Sequence, residues 1–475
     1  MLTYNLADQE DLPLYECLYR HIRDDILNNN LMPDDKLPSK RAFAEALGVS
    51  VITVEGAYRQ LKAEGYIASR ERSGYYVRNI ESRPHAKAPA KAHPAATSAK
   101  YEIADFSSSP KIADESFMRL WEKTIRSLFA TEPQSEIYAR QPPRGSLRLR
   151  EAIASWLTRT RGITTSPERI IVTAGAPMLY SLVALMCGDE GGVALESPGY
   201  QRLKNVYESL GRQVCFIPLD DEGIDGAKLE ESGASLAHIM PSHQFPTGRV
   251  TSVSRRYELL GWASRKEGRY IVEDDYDCEF RLSGKPIPSL SSIDAEGKVI
   301  SLGTFSKSLS PSLRIAFGVF PPSFDERLEQ VLGCFSSTIG TIEQIALARL
   351  MESGEYERHV NRYRIKARNA RDRLIGALRE SPVARKLTFE ECDSGLHFIL
   401  CVDTPACAGD IAKNAAARGV GLAPLERYDF GRTMQPDENP RFVIQFEGVE
   451  DEKLALAARA ISDAIEAAER QQIPA

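Results

Sequence analysis

Three features are missing from this sequence, and each absence excludes a class of protein. No apolar run approaches the roughly 18 residues that a membrane span requires, and the N-terminus has no basic segment followed by an apolar one, as a signal peptide would. The eight cysteines form no CxxC pair and no cluster with histidine, so we expect neither a disulfide framework nor a zinc site. The sequence therefore predicts a cytoplasmic protein with reduced thiols, no membrane contact and no bound metal.

A large excess of charge of one sign is also missing, but the charges are unevenly distributed. The chain carries 60 Lys and Arg against 66 Asp and Glu, a net charge of −6, which over the whole chain argues against nucleic acid as a partner. Residues 1–35 hold two basic and eight acidic side chains, whereas residues 36–78 hold eight basic and four acidic ones. This local positive excess is the distribution that phosphate contacts require.

The length of 475 residues exceeds what one hydrophobic core usually supports, so at least two folding units are expected. Residues 79–100 separate them, because this stretch has three prolines at five-residue spacing, seven alanines and no aromatic residue. It offers too little apolar surface to bury, which predicts a flexible or semi-extended linker, with an ordered surface loop as the alternative. The predicted units are residues 1–78 and 101–475.

The short unit is predicted to contain three helices and a hairpin. Apolar residues at four-residue spacing from Leu14 to Ile26 indicate a first helix. Ser39 opens a second helix that ends at Gly48, and Ser50 caps a third. The apolar pieces YIASR and GYYVR that follow indicate two short strands. Three helices followed by a hairpin form a winged helix-turn-helix.

Residues 31–77 resemble the DNA-binding domain of GntR-type bacterial regulators, through LPSKRAFAEALGVSVITVEGAYRQLKAEG and the wing segment RSGYYV. The resemblance implies double-stranded promoter DNA as a partner. It implies DNA contacts from Pro38, Ser39, Lys40, Arg41, Ser50, Thr53, Arg59, Arg72, Ser73, Gly74 and Tyr75. The position after Ser50 is usually Arg or Asn in such domains and is Val51 here, which predicts either a lost polar contact or an apolar contact with a thymine methyl group.

From Tyr101 onward, short apolar strands alternate with helical stretches. The predicted strands are RIIVTAG, GGVALESP, QVCFIPL, LAHIMPS, RYIVEDD, KVISLGTFSK and RIAFGVF. This alternation predicts an α/β domain around a mostly parallel sheet, in which ligands bind beyond the carboxyl ends of the strands.

A lysine that follows one of these strands is the first candidate for chemistry. In GTFSKSLSPSLR, Lys307 lies among small hydroxyl residues, where a desolvated amine becomes a nucleophile able to form a Schiff base. Thr304, Ser306 and Arg314 supply donors for a phosphate group. A reactive lysine beside phosphate donors predicts pyridoxal 5′-phosphate (PLP) as the cofactor.

The strand RYIVEDDYDCEF supplies carboxylates. A buried carboxylate beside the pyridine nitrogen of PLP keeps that nitrogen protonated, and a tyrosine two residues further, on the same side of an extended chain, reaches the ring oxygen. Asp274 and Tyr276 have this spacing, and Asp275 is the alternative to Asp274.

Two glycine-containing turns complete the predicted site. In VTAGAPMLY, the turn at Gly175 and Ala176 begins a helix whose free N–H groups suit an anion, although Pro177 removes one of them. In LESPGYQR, Tyr200 is placed where its ring would stack on or border the cofactor, with Arg202 beside it.

Residues 101–475 resemble fold type I aminotransferases, and PSHQFPTG, EDDYDCEFR and GTFSKSLSPSLR are most similar to the MocR-type regulators, which join a GntR-type winged helix to an aminotransferase-like domain. The resemblance implies a smaller C-terminal α+β subdomain and a homodimer. It implies that Lys307 is the Schiff-base lysine and that further cofactor contacts come from Asp274, Tyr276, Arg314, Ser306, Thr304, Gly175, Ala176, Tyr200 and His243. It implies ligand contacts from Arg202 and Arg441, and Arg441 fits a structural surface arginine equally well.

Two departures from the aminotransferase pattern bear on function. The residue before PTG is usually an asparagine that contacts the ring oxygen, and here it is Phe245. Loss of this donor weakens the tuning of the cofactor, which is the direction expected of a sensor. The usual glutamine of the phosphate turn is Pro177, so cofactor affinity or phosphate pose is expected to differ from the family norm.

The sequence thus predicts a PLP-dependent transcriptional regulator that binds promoter DNA and senses a small amine or amino acid, or PLP itself. The alternative is an active class I/II-like aminotransferase with a vestigial DNA-binding head. Residual aminotransferase activity is compatible with both functions.

Overall fold

The computed structural model describes residue 4 and residues 12–71, 73–80, 101–108, 115–187, 191–282, 288–432, 434, 439–447 and 449–472. The chain divides into two compact units, residues 1–98 and 99–475. The predicted linker 79–100 lies outside the described residues except for Asn79 and Ile80. No helix within the described ranges is both long and apolar enough to cross a membrane.

The first unit contains three helices and a hairpin, as predicted. Its elements are α1 (Leu14–Leu27), α2 (Lys40–Leu47), α3 (Val51–Ala63), β1 (Ile67–Arg70) and β2 (Gly74–Val77). The two strands pair antiparallel, with Ile67 opposite Val77 and Arg70 opposite Gly74. This is the winged helix-turn-helix that the sequence predicts.

Capping residues set the helix boundaries in this unit. The Ser39 hydroxyl accepts a hydrogen bond from the Ala42 amide at the start of α2, and the Ser50 hydroxyl accepts one from the Thr53 amide at the start of α3. Gly48 ends α2 with a φ of 67°, in the left-handed region that favours glycine. These contacts confirm the predicted start and end of α2 and the predicted start of α3.

The core of the first unit lies between its three helices. Its fully buried helical side chains include Leu18, Ile22, Ile26, Val54, Ala57, Tyr58 and Leu61. Leu14 differs from the predicted apolar stripe, because it is the first residue of α1 and is 48% exposed at the edge of this core.

The second unit is built around an eight-stranded sheet. The strands of the second unit, in chain order, are β3 (Ala104–Asp105), β4 (Ile170–Ala174), β5 (Val193–Ser197), β6 (Val214–Asp220), β7 (Gly223–Ile224), β8 (Leu236–Ile239), β9 (Tyr270–Asp275), β10 (Val299–Thr304), β11 (Ile315–Val319), β12 (Leu387–Glu390), β13 (His397–Val402), β14 (Val420–Gly421), β15 (Ala423–Pro424) and β16 (Arg441–Gln445). The large sheet has the order β4-β11-β10-β9-β8-β5-β6-β7. Its centre, from β10 to β6, is parallel, and β11 and β7 pair antiparallel with their neighbours. All seven predicted strands are present.

Helices cover both faces of this sheet. The helices of the second unit, in chain order, are α4 (Glu115–Thr131), α5 (Gln134–Ile137), α6 (Leu147–Arg161), α7 (Ala176–Met186), α8 (Gln201–Ser209), α9 (Gly226–Glu231), α10 (Val253–Ser264), α11 (Asp325–Leu332), α12 (Thr341–Glu352), α13 (Glu355–Arg379), α14 (Ala408–Ala416) and α15 (Asp451–Gln472). Helices α7, α8 and α11 share an apolar core with Ile171 and Val272, whereas α9 and α10 share another with Ile271. Neighbouring strand residues thus point into different layers, as a sheet covered on both faces requires.

The C-terminal part forms the smaller α+β subdomain that the sequence predicts. Strands in the order β12-β13-β16-β15 make an antiparallel sheet. Helices α13, α14 and α15 pack on it through a core that includes Leu374, Ile411, Phe442 and Ile461. The chain leaves β16 at Gln445, and the next residues enter the site described below.

Candidate functional site

A cavity of about 610 Å³ lies beyond the carboxyl ends of β9 and β10. Its walls bring together separate motifs of the sequence, which is expected when neighbouring parallel strands end at one edge of a sheet. The residues predicted from the sequence that line it are Lys307, Asp274, Tyr276, Arg314, Ser306, Thr304, Ala176, Tyr200 and Arg202.

Lys307 is held by a carboxylate inside this cavity. Its side chain is 24% exposed, and its Nζ lies 3.3 Å from Oε2 of Glu447, just after β16. Only 4% of the Glu447 side chain is exposed, and its Oε1 accepts a hydrogen bond from the Tyr363 hydroxyl at 2.8 Å. The amine that the sequence predicts to be reactive therefore has an anionic partner from the C-terminal subdomain.

The end of β9 separates Asp274 from Asp275, because successive side chains of a strand point to opposite faces. Asp274 lines the cavity, and its Oδ2 accepts a hydrogen bond from the Tyr180 hydroxyl at 2.6 Å. Burial and, after it, the Asp274 carboxylate raise the pKa of Tyr180 well above its ordinary value, so Tyr180 keeps the proton that it donates. Asp275 instead forms a buried ion pair with Arg161 of α6.

Tyr276 is backed by three buried polar side chains. Its hydroxyl lies 3.0 Å from Nδ1 of His243, and that nitrogen lies 2.9 Å from Oδ2 of Asp277. His397 packs against His243 with ring centroids 4.5 Å apart. His243 is 3% exposed and lies behind Tyr276 instead of lining the cavity. The structure therefore gives His243 an indirect position, through Tyr276, in place of the direct cofactor contact that the resemblance implies.

His243, Asp277 and His397 also offer metal-ligand atoms within 4.8 Å of one another. Both rings are already engaged by the protein, since His243 contacts Asp277 and Nε2 of His397 lies 3.0 Å from the carbonyl oxygen of Pro246. Burial and, after it, His243 lower the pKa of His397 well below its ordinary value, so His397 is neutral. We interpret this cluster as support for the Tyr276 hydroxyl.

The predicted phosphate donors meet at the start of α7. Nη1 of Arg314 lies 3.5 Å from the Ser306 hydroxyl, and the Ser306 amide donates to Thr304 Oγ1 at 3.1 Å. A Cβ at Gly175 would lie 2.5 Å from Nη2 of Arg314, so the guanidinium occupies space that only glycine leaves open. Arg314 has a φ of 50°, a strained value for a non-glycine residue, and the surrounding fold must hold it there. Gly175 therefore lies against the guanidinium group of Arg314, and Ala176 lines the cavity.

Three aromatic rings, those of Tyr200, Phe245 and Tyr428, form another part of the cavity wall. Tyr200 packs edge-on against Phe245 with ring centroids 5.7 Å apart, and Phe245 contacts Tyr428 in the same way at 5.3 Å. The guanidinium of Arg202 lies 5.8 Å from the centre of the Tyr200 ring. The residue that replaces the usual asparagine is thus part of an apolar wall between Tyr200 and Tyr428.

Arg441 lies outside this cavity, contrary to the ligand-side position that the sequence implies for it. It begins β16 and lines a second cavity of about 260 Å³, together with Asp220, Asp221, Glu390 and Glu391. The physical reason is distance along the strand, because four residues of β-strand span about 13 Å. Only the far end of β16, at Gln445, reaches the larger cavity.

Sequence reasoning missed several residues of the cavity. Gln445, Glu447 and Arg427 line it, as do His359 and Tyr363 of α13. None belongs to a motif with characteristic spacing, and their positions depend on how the C-terminal subdomain packs on the large sheet.

The first unit carries the candidate nucleic-acid interface. The predicted DNA-binding residues that are exposed there are Ser39, Arg41, Ser50, Arg59, Ser73 and Gly74. Thr53 is half-buried, with its hydroxyl 2.8 Å from that of Ser50. Arg72 lies outside the described residues.

Three other predicted DNA contacts already have partners within the unit. The Tyr58 hydroxyl donates to the Pro38 carbonyl oxygen at 2.9 Å, and Nζ of Lys40 lies 2.5 Å from Oε1 of Glu55. Tyr75 packs edge-on against Tyr58 with ring centroids 4.9 Å apart. Pro38 and Tyr75 thus help to build the winged helix, and Lys40 would have to exchange Glu55 for a phosphate.

Comparison with known proteins identifies both units. Residues 14–77 match the model of bacterial regulatory proteins of the gntR family, and residues 114–423 match that of aminotransferase class I and II. The probable rhizopine catabolism regulatory protein MocR of Rhizobium meliloti is 32% identical over 88% of this chain and 88% of its own length. The pyridoxine biosynthesis transcriptional regulator PdxR of Corynebacterium glutamicum is 31% identical over 94% of this chain and 95% of its own.

Solved structures resemble the second unit in fold. One is the kynurenine aminotransferase of Pyrococcus horikoshii, crystallised with PMP. The match covers 80% of this chain and 93% of the aminotransferase chain at 23% identity, with a TM-score of 0.68. Another is a multiple substrate aminotransferase from Thermococcus profundus. The match covers 79% of this chain and 93% of that enzyme's chain at 22% identity, with a TM-score of 0.67. The fold of the large unit is that of the aminotransferases. With a GntR-type winged helix joined to this fold, the chain belongs to the MocR-type family of helix-turn-helix regulators.

Proposed function

We propose that this protein is a PLP-dependent transcription regulator, which binds promoter DNA through its winged helix and senses a small amine or amino acid at Lys307. The observation that carries the proposal is the presence in one chain of an exposed basic winged helix and a cavity in which Lys307, Asp274, Tyr276 and Arg314 meet. The chemistry of the cavity supports the sensing role, and the positive charge around α2 and α3 supports the DNA-binding role.

The donor set of the cavity fits PLP. Asp274 would hold the proton of the pyridine nitrogen, and the Tyr276 hydroxyl, fixed from behind by His243, would donate to the ring oxygen. Arg314, with Ser306 beside it, would bind the phosphate. When bound, PLP supplies an aldehyde that bonds reversibly to amines and a ring that withdraws electrons. Lys307 would hold the aldehyde until the amine of a ligand displaces it.

Two features of the cavity favour an amino acid or a similarly acidic amine as the ligand. Arg202 and Arg427 place guanidinium groups in its wall, where they would bind a carboxylate. Tyr200 and Phe245 add an aromatic surface to the same cavity. PLP itself as the signal is the second possibility, and titrating DNA binding with PLP alone distinguishes the two.

The assembly and location follow from DNA recognition. Winged helices of bacterial regulators typically read two half-sites as a symmetric dimer, so we propose a homodimer. A protein that regulates promoters must meet DNA, so we propose the bacterial cytoplasm as its location. The two functional modules correspond to residues 1–78 and 101–475, joined by the linker 79–100.

A mobility-shift titration with the DNA upstream of the protein's own gene tests the regulator function. We expect sequence-preferring binding whose affinity falls steeply with salt, because released counterions contribute most of the affinity. Replacement of exposed Arg59 by alanine should reduce the salt slope by about one phosphate contact, whereas Arg126→Ala, an exposed arginine of the other unit, should not. Binding that is absent, or indifferent to sequence and salt, would overturn the proposal.

The second candidate function is that of a working aminotransferase, which the class I and II fold and Lys307 favour. Turnover with a panel of amino donors and keto acids separates the two. A dedicated catalyst should turn over faster than about 1 per second, whereas a sensor with Phe245 in place of the usual asparagine should be slower by orders of magnitude.

A further inference from the structure

The first turn of α3 exposes two apolar side chains. Ile52 is 80% exposed and Val51 is 42% exposed, and Ile52 is the most exposed large apolar side chain among the residues that the structure describes. The apolar residues further along the helix, Val54 and Leu61 among them, are fully buried in the core of the unit. Core packing therefore explains the rest of the helix and leaves Ile52 without a structural role.

Cationic side chains lie on the same helix as this apolar pair and on the helix before it. Arg41 lies in the first turn of α2, Arg59 lies two turns further along α3, and both are exposed. Lys40 also lies near the start of α3, since it binds Glu55 of that helix. An apolar pair framed by cations suits a partner with a negative backbone and apolar groups between its phosphates.

Duplex DNA has such a surface in its major groove. In helix-turn-helix proteins the N-terminal residues of the second helix of the motif contact base edges, and here those residues are Val51 and Ile52. Neither side chain donates or accepts a hydrogen bond, so neither reads the polar pattern of a base pair. The apolar group presented there by the bases is the C5-methyl of thymine.

We propose that Ile52 recognises thymine through its C5-methyl group, an inference that rests on the DNA-binding function proposed above. Specificity at these positions would come from burying a methyl group. It would not come from the arginine or asparagine that related domains place after the capping serine. Removing one contacted methyl should weaken binding about fourfold, the value expected for one buried carbon group.

Deoxyuridine tests this proposal, because it keeps every hydrogen bond of thymine and lacks only the methyl. The DNA upstream of the gene is prepared with thymidine or with deoxyuridine throughout, and the full-length protein is titrated with both by fluorescence anisotropy. We expect wild type to bind the deoxyuridine DNA at least about fourfold more weakly. Ile52→Ala should bind both DNAs equally, near the affinity of wild type for the deoxyuridine DNA. Met32→Ala, which removes another exposed apolar side chain of the unit, should keep the wild-type preference.

The possible outcomes distinguish a failure of thymine-methyl recognition from a failure of the regulator function. Sequence-specific binding of wild type to both DNAs with equal affinity would overturn thymine-methyl recognition and leave the regulator function intact. A deoxyuridine penalty that persists in Ile52→Ala would mean that Ile52 does not contact the methyl group, and it would also overturn the proposal. If wild type binds neither DNA specifically, the regulator function fails and this inference fails with it. Because Ile52 is exposed, its replacement should leave the melting temperature unchanged, and a melt verifies that the variant is folded.

Discussion

Nζ of Lys307 lies 3.3 Å from Oε2 of Glu447, a carboxylate 140 residues further along the chain. The amine that would bond to the cofactor is thus engaged by an anion in the structure. Glu447 is almost completely buried and is fixed by the Tyr363 hydroxyl on its other oxygen. Lys307 must leave this partner before its nitrogen can bond to an aldehyde.

Replacing Glu447 by glutamine should therefore speed cofactor uptake. Glutamine keeps the acceptor for Tyr363 and removes the charge that holds Lys307. The rate of PLP uptake by apoprotein, followed by visible absorption, should rise up to about fivefold, the equivalent of a partly screened ion pair. Tyr363→Phe is the matched control, since it removes the hydrogen bond and keeps the charge. Equal rates in wild type and Glu447→Gln would contradict the restraining role of this contact.

The ion pair between Arg161 and Asp275 should be a strong determinant of stability in the large unit. Both side chains are 6% exposed, so removing one leaves a buried charge without its partner. Arg161→Met and Asp275→Leu should each destabilise the fold by about 3–5 kcal/mol, whereas the double variant should lose much less than their sum. Thermal melts of the three variants measure this, and additive losses would show that the two residues act independently.

Glu196 should make stability depend on pH. It is 5% exposed, its Oε2 accepts a hydrogen bond from the Met240 amide at 3.0 Å, and burial raises its pKa to about 8. Between its ordinary value of 4.5 and about 8, the folded chain holds a proton that the unfolded chain has lost. The contribution of this group to stability is therefore complete below the lower value and is lost as pH rises through the higher one.

Glu196→Gln imitates the protonated form at every pH. Its melting temperature should match wild type near pH 5 and exceed it increasingly up to about pH 8. Melts at a series of pH values provide the comparison. A difference that does not change with pH would mean that Glu196 is ionised in the folded protein.

Ser50 caps the start of α3 and is also a predicted DNA contact. Two variants separate these roles. Alanine removes the acceptor for the Thr53 amide and should destabilise α3 by about 1 kcal/mol. Aspartate keeps the cap and adds a negative charge, so α3 should remain stable while DNA affinity falls. Hydrogen exchange of residues 51–63 in the full-length protein measures the first effect and anisotropy measures the second. Wild-type DNA affinity in Ser50→Asp would remove Ser50 from the interface.

The parts of the fold that were predictable depend on local signals. Ser39, Gly48 and Ser50 fix helix ends through contacts within a few residues, so the first unit followed directly from its sequence. The seven strands of the large unit were equally predictable, because each is a short apolar run between polar turns. Asp274 and Lys307 reach one cavity because the ends of neighbouring parallel strands meet.

Long-range contacts in the site were not predictable from motifs. Glu447 and Arg427 enter the cavity only because the C-terminal subdomain packs there, and no spacing in the sequence encodes that arrangement. Arg441 had two predicted positions, and the start of β16 keeps it away from the cavity, so the ligand-side position is not supported. The choice between Asp274 and Asp275 needed the actual faces of β9, which Arg161 makes evident.

If the Lys307 cavity controls DNA binding, its occupancy must change the affinity of the protein for DNA. The dissociation constant for the DNA upstream of the gene is determined by anisotropy for wild type and Lys307→Ala, each with and without PLP and with a panel of amino acids. We expect the affinity of wild type to change by at least about fivefold with PLP or with PLP and one of the amino acids, which is the lower end of typical coupling between two sites. Lys307→Ala should bind the DNA and show no such response. If wild type binds this DNA with the same affinity under every condition, or if Lys307→Ala responds equally, the Lys307 cavity does not control DNA binding.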